Sequence, residues 1–310
     1  MRIVFMGTPE IAEGSLKSLI ENNHEILAVV TQPDRPKGRG KSIVMSPVKE
    51  LALKYNLPVL QPNKASEETF IEKIKSLNPD LIVVVAFGQI LRKNLLDIPK
   101  YGCVNVHVSL LPRLRGAAPI NWAIINGDDK TGVTTMFMDE GLDTGDIIKT
   151  KEFLLDDEIN AGQLHDWMKD EGAKLLIDTV ESIEKGNYER IKQDDSLSTY
   201  APMMDKNLGH VDFSKEARTV HNLVRGVVPW PGAWCESRYG KIKIWKTKVI
   251  DKDYNDVENG EVIKVDKDGI LVSCGKNCIL IEELQMPNKK RMPVSEFIKG
   301  NKIDIGTVLS

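Results

Sequence analysis

A chain of 310 residues with 41% hydrophobic and 28% charged side chains has the make-up of an ordinary globular protein, and its length favours two domains over one. The opening Ile3-Val4-Phe5-Met6 is too short for a secretory signal and no run approaches the ~18 apolar residues of a membrane span, so neither a secreted nor a membrane protein is expected. The net charge of −3 divides unevenly: residues 1–204 carry 24 basic and 30 acidic side chains and residues 205–310 carry 18 and 15, a hint that the C-terminal part faces something anionic.

In chain order, 3–6 reads as a buried strand, and Thr8-Pro9-Glu10 opens a helix with Thr as cap and Pro at the first helical position. Further short apolar runs at 25–31, 59–60, 81–86 and 104–108 alternate with amphipathic stretches near 47–55 and 66–77. Continuous apolar strands interleaved with helices indicate an α/β fold with a mostly parallel sheet covered on both faces. Another strand-like run, 133–138, precedes the turn GLDTGD at 141–146. A long helix follows at 161–185, with Leu164, Met168, Leu175, Leu176, Val180 and Ile183 on one side. Periodicity then stops over 190–206, which reads as a linker between a domain at 1–189 and another at 207–310. The latter has one helix near 214–226, then short alternating runs between Gly, Asp and Asn turns, the pattern of a small β-barrel.

Four cysteines, Cys103, Cys235, Cys274 and Cys278, follow no disulfide-framework spacing, which points to a reducing cytoplasm. Cys274 and Cys278 read as buried thiols, and no metal is expected, because no His or second Cys pair accompanies them. The first strand and Gly7 invite a dinucleotide-binding reading with Asp34 as the ribose acid. GTPEIAEG, however, has Pro and Glu where phosphate-cradling glycines belong, and Glu10 would repel a pyrophosphate there. The loop after that strand still lies where open α/β sheets bind ligands.

Candidate chemistry concentrates at 105–146. Asn105 and His107, two apart on a strand, project to one side near its carboxyl end. A lone His in an apolar run is ordinarily a satisfied core residue; the neighbouring amide, the strand-end position and the acids Asp143 and Asp146 weigh the other way.

NVHVSLLPRLRGAAPINWAI followed by GLDTGDII resembles the folate-dependent formyltransferases. TQPDRPKGRGK at 31–41 and VPWPGAW at 228–234 resemble, within that family, the branch that formylates initiator methionyl-tRNA. The resemblance runs from Arg2 to about Ile305. It implies a Rossmann-like catalytic domain, a C-terminal OB-like barrel that binds tRNA, and 10-formyltetrahydrofolate as donor substrate with no tightly bound cofactor. By position it assigns Asn105, His107 and Asp143 to catalysis and Ser109, Leu110, Leu111 and Pro112 to the folate. It places Arg35, Lys37, Arg39 and Lys41 on a loop reaching the tRNA acceptor end, with Arg39 between two glycines as the leading side chain. The segment MMDKNLGHVDF departs from the lysine-rich pattern of relatives, so no tRNA role is assigned to Lys206.

Other readings stay open. Arg113 and Arg115 are either solvated loop charges or contacts to phosphate or to the folate glutamate. Lys241, Lys243, Lys246, Lys248 and Lys289-Lys290-Arg291 offer charge for RNA phosphates, whereas Trp230 and Trp234 are expected in the barrel-seam core. A formyltransferase for a small amine, such as a nucleotide sugar, explains the triad equally well but does not need the basic loop. Nothing in the sequence calls for more than one subunit.

Overall fold

β-Branched runs too short and too apolar to face water must stack side by side, and the amphipathic segments between them must cover both faces. The computed structural model describes residues 1–37, 42–254 and 256–310. The chain packs into two compact units, one of residues 1–116, 131–153 and 165–201 and the other of 117–130, 154–164 and 202–310.

The first unit holds β1 (Arg2–Gly7), α1 (Glu10–Glu21), β2 (Glu25–Val30), the hairpin β3 (Arg35–Lys37) and β4 (Ser42–Val44), and α2 (Pro47–Lys54). After these come β5 (Val59–Leu60), α3 (Glu68–Leu77), β6 (Leu81–Val85), α4 (Lys93–Leu96), β7 (Cys103–His107) and the short β8 (Arg115–Gly116). Beyond α5 (Pro119–Ile125), which belongs to the second unit, lie β9 (Lys130–Phe137), β10 (Ile147–Leu154), α6 (Ala161–Glu184) and β11 (Tyr200–Ala201). The main sheet has the order β10-β9-β7-β6-β1-β2-β5. Its pairs from β5 through β7 are parallel, and β9 runs antiparallel to β7 with Thr134 opposite His107 and Met136 opposite Asn105. β6 and β7 are buried along their whole length. The carboxyl ends of β1, β6 and β7 therefore share one rim.

That rim is knitted by loops. Thr8 does not cap α1, whose N-cap is Pro9 without a side-chain bond. Its hydroxyl instead donates to the Phe87 carbonyl (3.1 Å), which also accepts from the Gln32 amide (3.1 Å). The loops after β1, β2 and β6 thus meet at one carbonyl.

The second unit begins its main run with α7 (Ala217–Val227) and continues through β12 (Ala233–Cys235), β13 (Ile242–Ile250), β14 (Val262–Asp266), β15 (Gly269–Ser273), β16 (Cys278–Gln285), β17 (Met292–Pro293) and α8 (Val294–Phe297). The order is β12-β13-β16-β15-β14 with β17 on β16, and every pair is antiparallel, a barrel-like sheet. Ala217, Val220, Val224 and Val227 of α7 join its core with Ile244, Val262, Ile270 and Ile281.

Three features depart from the sequence reading. α5 and β10 had no clear periodic signal, because a seven-residue helix and the mixed run IIKTKEFL give too few repeats to register. Residues 190–201 fold with the first unit rather than hanging free. Trp230 is 53% exposed and so not seam core, while Trp234 is half-buried between the His210 ring (4.4 Å) and the Lys241 ammonium (3.3 Å). All four cysteines are buried free thiols, and burial raises each above its ordinary value, Cys103, Cys235 and Cys274 to about 12. No helix among the described residues is long and apolar enough to cross a membrane.

Candidate active site

Asn105 and His107 leave the same side of β7, as the two-residue strand period requires, and both are more than nine-tenths buried. A nearly buried amide normally has its hydrogen bonds made by protein. The Asn105 side chain makes no hydrogen bond with the described residues and its amide atoms are not sealed from solvent, so the amide is open to a molecule at the rim.

His107 is held differently. Its Nε2 lies 3.0 Å from the Leu114 carbonyl oxygen, which can only accept, so Nε2 carries a proton. Nδ1 is left facing the Asp143 carboxylate at 3.7 Å, an ion-pair distance rather than a hydrogen bond. The same carboxylate oxygen accepts the Gly116 amide at 2.9 Å. β7 brings Asn105 and His107, and the turn after β9 brings Asp143. The sequence-assigned triad therefore converges, although His107 and Asp143 lie 36 positions apart in the chain.

The segment after β7 is a brace. Ser109 is fully buried and donates its hydroxyl to the Arg113 carbonyl (2.7 Å). Thr134 donates to the Ser109 carbonyl (2.7 Å) and accepts the Leu111 amide (3.2 Å). The Ser109 hydroxyl is thus used within the loop, and Leu111 packs with Met136 and Ile147 in a small apolar cluster. Of the four residues assigned to folate, Leu110 and Pro112 keep half-exposed surface. Arg115 is no solvated charge: it donates to Gln193 (2.8 and 3.2 Å) and to Asp195 (2.8 Å). Arg113 is exposed.

Two exposed apolar side chains on loops of this sheet escaped the sequence reading: Ile90, 82% exposed in the loop after β6, and Leu142, 56% exposed beside Asp143 in sequence. A large hydrophobe in water at a strand-end loop was the available signal. Gln193 and Thr199, also missed, tie 190–201 to this region, Thr199 by accepting the Leu114 amide (2.8 Å) on its hydroxyl and the Arg115 amide (2.9 Å) on its carbonyl. They sit in a polar, aperiodic stretch that offers no local signal. A cavity of about 480 Å³ lies elsewhere in this unit, lined by Leu96, Tyr101, Phe137, Tyr188 and Arg190 among others, and contains none of the triad. No cluster of His, Cys, Asp or Glu suited to a metal occurs among the described residues.

Asp34 is held away from the loop's charges by its own partners among the described residues. Its carboxylate accepts the Lys49 ammonium (2.5 Å) and the Gln61 amide (2.9 Å), and the Lys49 bond holds its carboxyl below the ordinary range. Arg35 is exposed on the β3–β4 hairpin, Lys37 lies on the same hairpin, and Arg39 and Lys41 fall outside the described residues. On the barrel-like unit, Lys243 and Arg291 lie over the Trp245 ring, Arg291 also pairs with Glu283, and Lys246 pairs with Glu282.

Residues 1–180 match the formyl transferase family and residues 203–302 match the formyl transferase C-terminal domain. The chain is 62% identical to a methionyl-tRNA formyltransferase of Clostridioides difficile (strain 630) over 310 residues, all of both chains. It is 51% identical to one of Acetivibrio thermocellus over 309 residues, covering 100% of this chain and 99% of that one. Among solved structures, an N-formyltransferase of Helicobacter canadensis in complex with folinic acid and dTDP-3-aminofucose superposes with a TM-score of 0.66 at 20% identity, covering 90% of this chain and 98% of that chain. At that identity the likeness speaks for the fold.

Proposed function

The chain belongs to the formyl transferase family, and we propose that Asn105, His107 and Asp143 are its catalytic group. It transfers the formyl group of 10-formyltetrahydrofolate to the α-amine of initiator methionyl-tRNA, the step that prepares the initiator for translation in the cytoplasm. Support for the acceptor comes from full-length identity to enzymes of that name. The single observation that carries the site is an Asn105 amide with no hydrogen bond to the described residues, on the same side of β7 as a His107 whose Nδ1 faces Asp143.

The amine attacks the formyl carbon, the carbonyl oxygen becomes a tetrahedral oxyanion, and the folate N10 leaves with a proton. Asn105 donates from its NH₂ to that oxygen without titrating. With Nε2 committed to Leu114, Nδ1 is the His107 atom that meets the reaction. Protonated, it donates to the oxyanion while Asp143 stabilises the charged ring; the amine's proton reaches the leaving nitrogen through this pair or a water beside it. No nucleophilic side chain is needed. The donor's flat ring has apolar surface available on Leu110, Pro112, Ile90 and Leu142. Arg35, Lys37, Arg39 and Lys41 are assigned to the acceptor end of the tRNA, where charge supplies affinity. Triad, donor surface and basic loop all belong to the first unit, and Lys243, Lys246 and Lys248 of the barrel-like unit are assigned further charge contacts to the tRNA.

The test is to incubate the protein with formyl donor and charged initiator tRNA, beside a charged elongator tRNA and a dTDP-amino sugar. Preferential formylation of the initiator is expected. Turnover of the sugar with none of either tRNA would replace this reading with the small-amine one.

A further inference from the structure

Gln193 lies in the stretch that reads as a linker, yet it is 8% exposed and makes four hydrogen bonds with oxygen and nitrogen groups beneath the catalytic turn, beside a longer contact to the Met136 sulfur (3.9 Å). Its Nε2 donates to the carbonyls of Asp143 (2.8 Å) and Gly145 (2.7 Å), and its Oε1 accepts Nε and Nη2 of Arg115. The orientation of the amide is forced, since only its NH₂ can serve two carbonyls and only its oxygen can serve a guanidinium.

The turn needs such a hold. Asp143 has φ of +54°, a left-handed conformation that a non-glycine residue leaves when unrestrained. At Gly145 a Cβ would fall 1.8 Å from the Phe137 carbonyl oxygen, so the chain is pressed against β9 there. Arg115 is fixed in turn by Asp195, and its neighbour Gly116 donates to the Asp143 carboxylate. Gln193 grips the backbone of Asp143 while the segment that grips Gln193 also holds the Asp143 side chain.

The geometry points to Gln193, oriented by Arg115, as a positioning residue that sets where Asp143 stands relative to His107 during formyl transfer. This rests on the catalytic reading of the triad. Displacing a catalytic group by about 1 Å can cost ~10²-fold in rate, and loss of both donations frees the turn to relax by that order.

Two variants separate the halves of the bond set. Gln193→Glu keeps an acceptor for Arg115 but cannot donate to the two carbonyls; Gln193→Met keeps the length and loses both. Each is assayed with charged initiator tRNA well below its melting temperature, and hydrogen exchange is followed at the Gly116 amide. The expected result for both is kcat lower by about tenfold to hundredfold, with KM for the tRNA within about twofold and faster exchange at Gly116 while core amides of β6 keep wild-type rates. Gln193→Met carries the test if the glutamate variant does not fold. kcat within about fivefold of wild type, or Gly116 protection unchanged, overturns the inference. Inactive wild-type protein would instead count against the functional reading, and the Gly116 exchange would still decide this one.

Discussion

The two most buried histidine environments of the chain begin alike and end differently. His107 and His221 each place Nε2 against a main-chain carbonyl, Leu114 at 3.0 Å and Asp157 at 2.9 Å. The contrast is at Nδ1. In His221 it accepts the Thr247 hydroxyl at 2.9 Å, so the neutral ring has every hydrogen bond it can make. Burial pushes its pKa down, against the partial opposition of the Asp157 carbonyl, and Arg225 and Arg218 nearby push the same way. In His107 the second nitrogen faces a carboxylate that is itself held by Gly116. A ring whose two nitrogens are both spent is architecture; a ring with one nitrogen beside an acid and an unpartnered amide is equipped to move a proton.

Replacing His107 with Ala tests the contrast most severely. Transfer is expected to fall by at least ~10²–10³ with the melting temperature little changed, and turnover within tenfold of wild type would remove the ring from the reaction. Asp143→Asn preserves the shape and can still accept the Gly116 amide, but it takes away the charge. A decrease of about 10²-fold in steady-state turnover is expected, and unaltered turnover would show that the carboxylate's charge is not used.

At the other histidine the effect should be on stability rather than rate. His221→Ala leaves the Asp157 carbonyl and the Thr247 hydroxyl without their partner. A loss of about 2–3 kcal/mol in denaturant unfolding is expected, with kcat per folded molecule within about threefold. Its pH dependence has a definite sign. The folded pKa lies below the unfolded value of 6.5, so as pH falls through 6.5 the unfolded chain takes up the proton first. The stability His221 contributes is present above that pH and is lost toward the lower folded value, at no more than ~1.4 kcal/mol per pH unit. His221→Gln should flatten that stretch of the stability profile, and an unchanged slope would contradict it.

The smallest effect extends the contrast to a region where charge, not geometry, acts. Arg39→Ala should raise KM for charged tRNA several-fold, lower the slope of log affinity against log salt by about 1, and leave donor KM as it was. An equal loss for donor and acceptor would contradict the loop assignment.

Much of this was legible in the chain itself. The runs at 3–6, 81–86 and 104–108 could only be buried strands, and the 161–185 stripe could only be a helix lying on them, because period and apolarity are local properties. The two-residue spacing of Asn105 and His107 fixed their shared side for the same reason. Thr8 read as a cap but serves a loop carbonyl; Trp230 read as core but stands in solvent; Arg115 read as either a solvated charge or a ligand contact and proves bound to Gln193 and Asp195. In each case the partner that decided the matter lies far along the chain or is water.

Sequence alone therefore determined the strand–helix alternation, the shared side of β7 that Asn105 and His107 occupy and the kinds of group available there, since all three follow from spacing and residue type. Only the tertiary structure decided which acid meets which histidine nitrogen, and that a glutamine from an apparent tether grips the turn bearing that acid. Hydrogen bonds between distant segments depend on where folding brings their ends, and no local period encodes that.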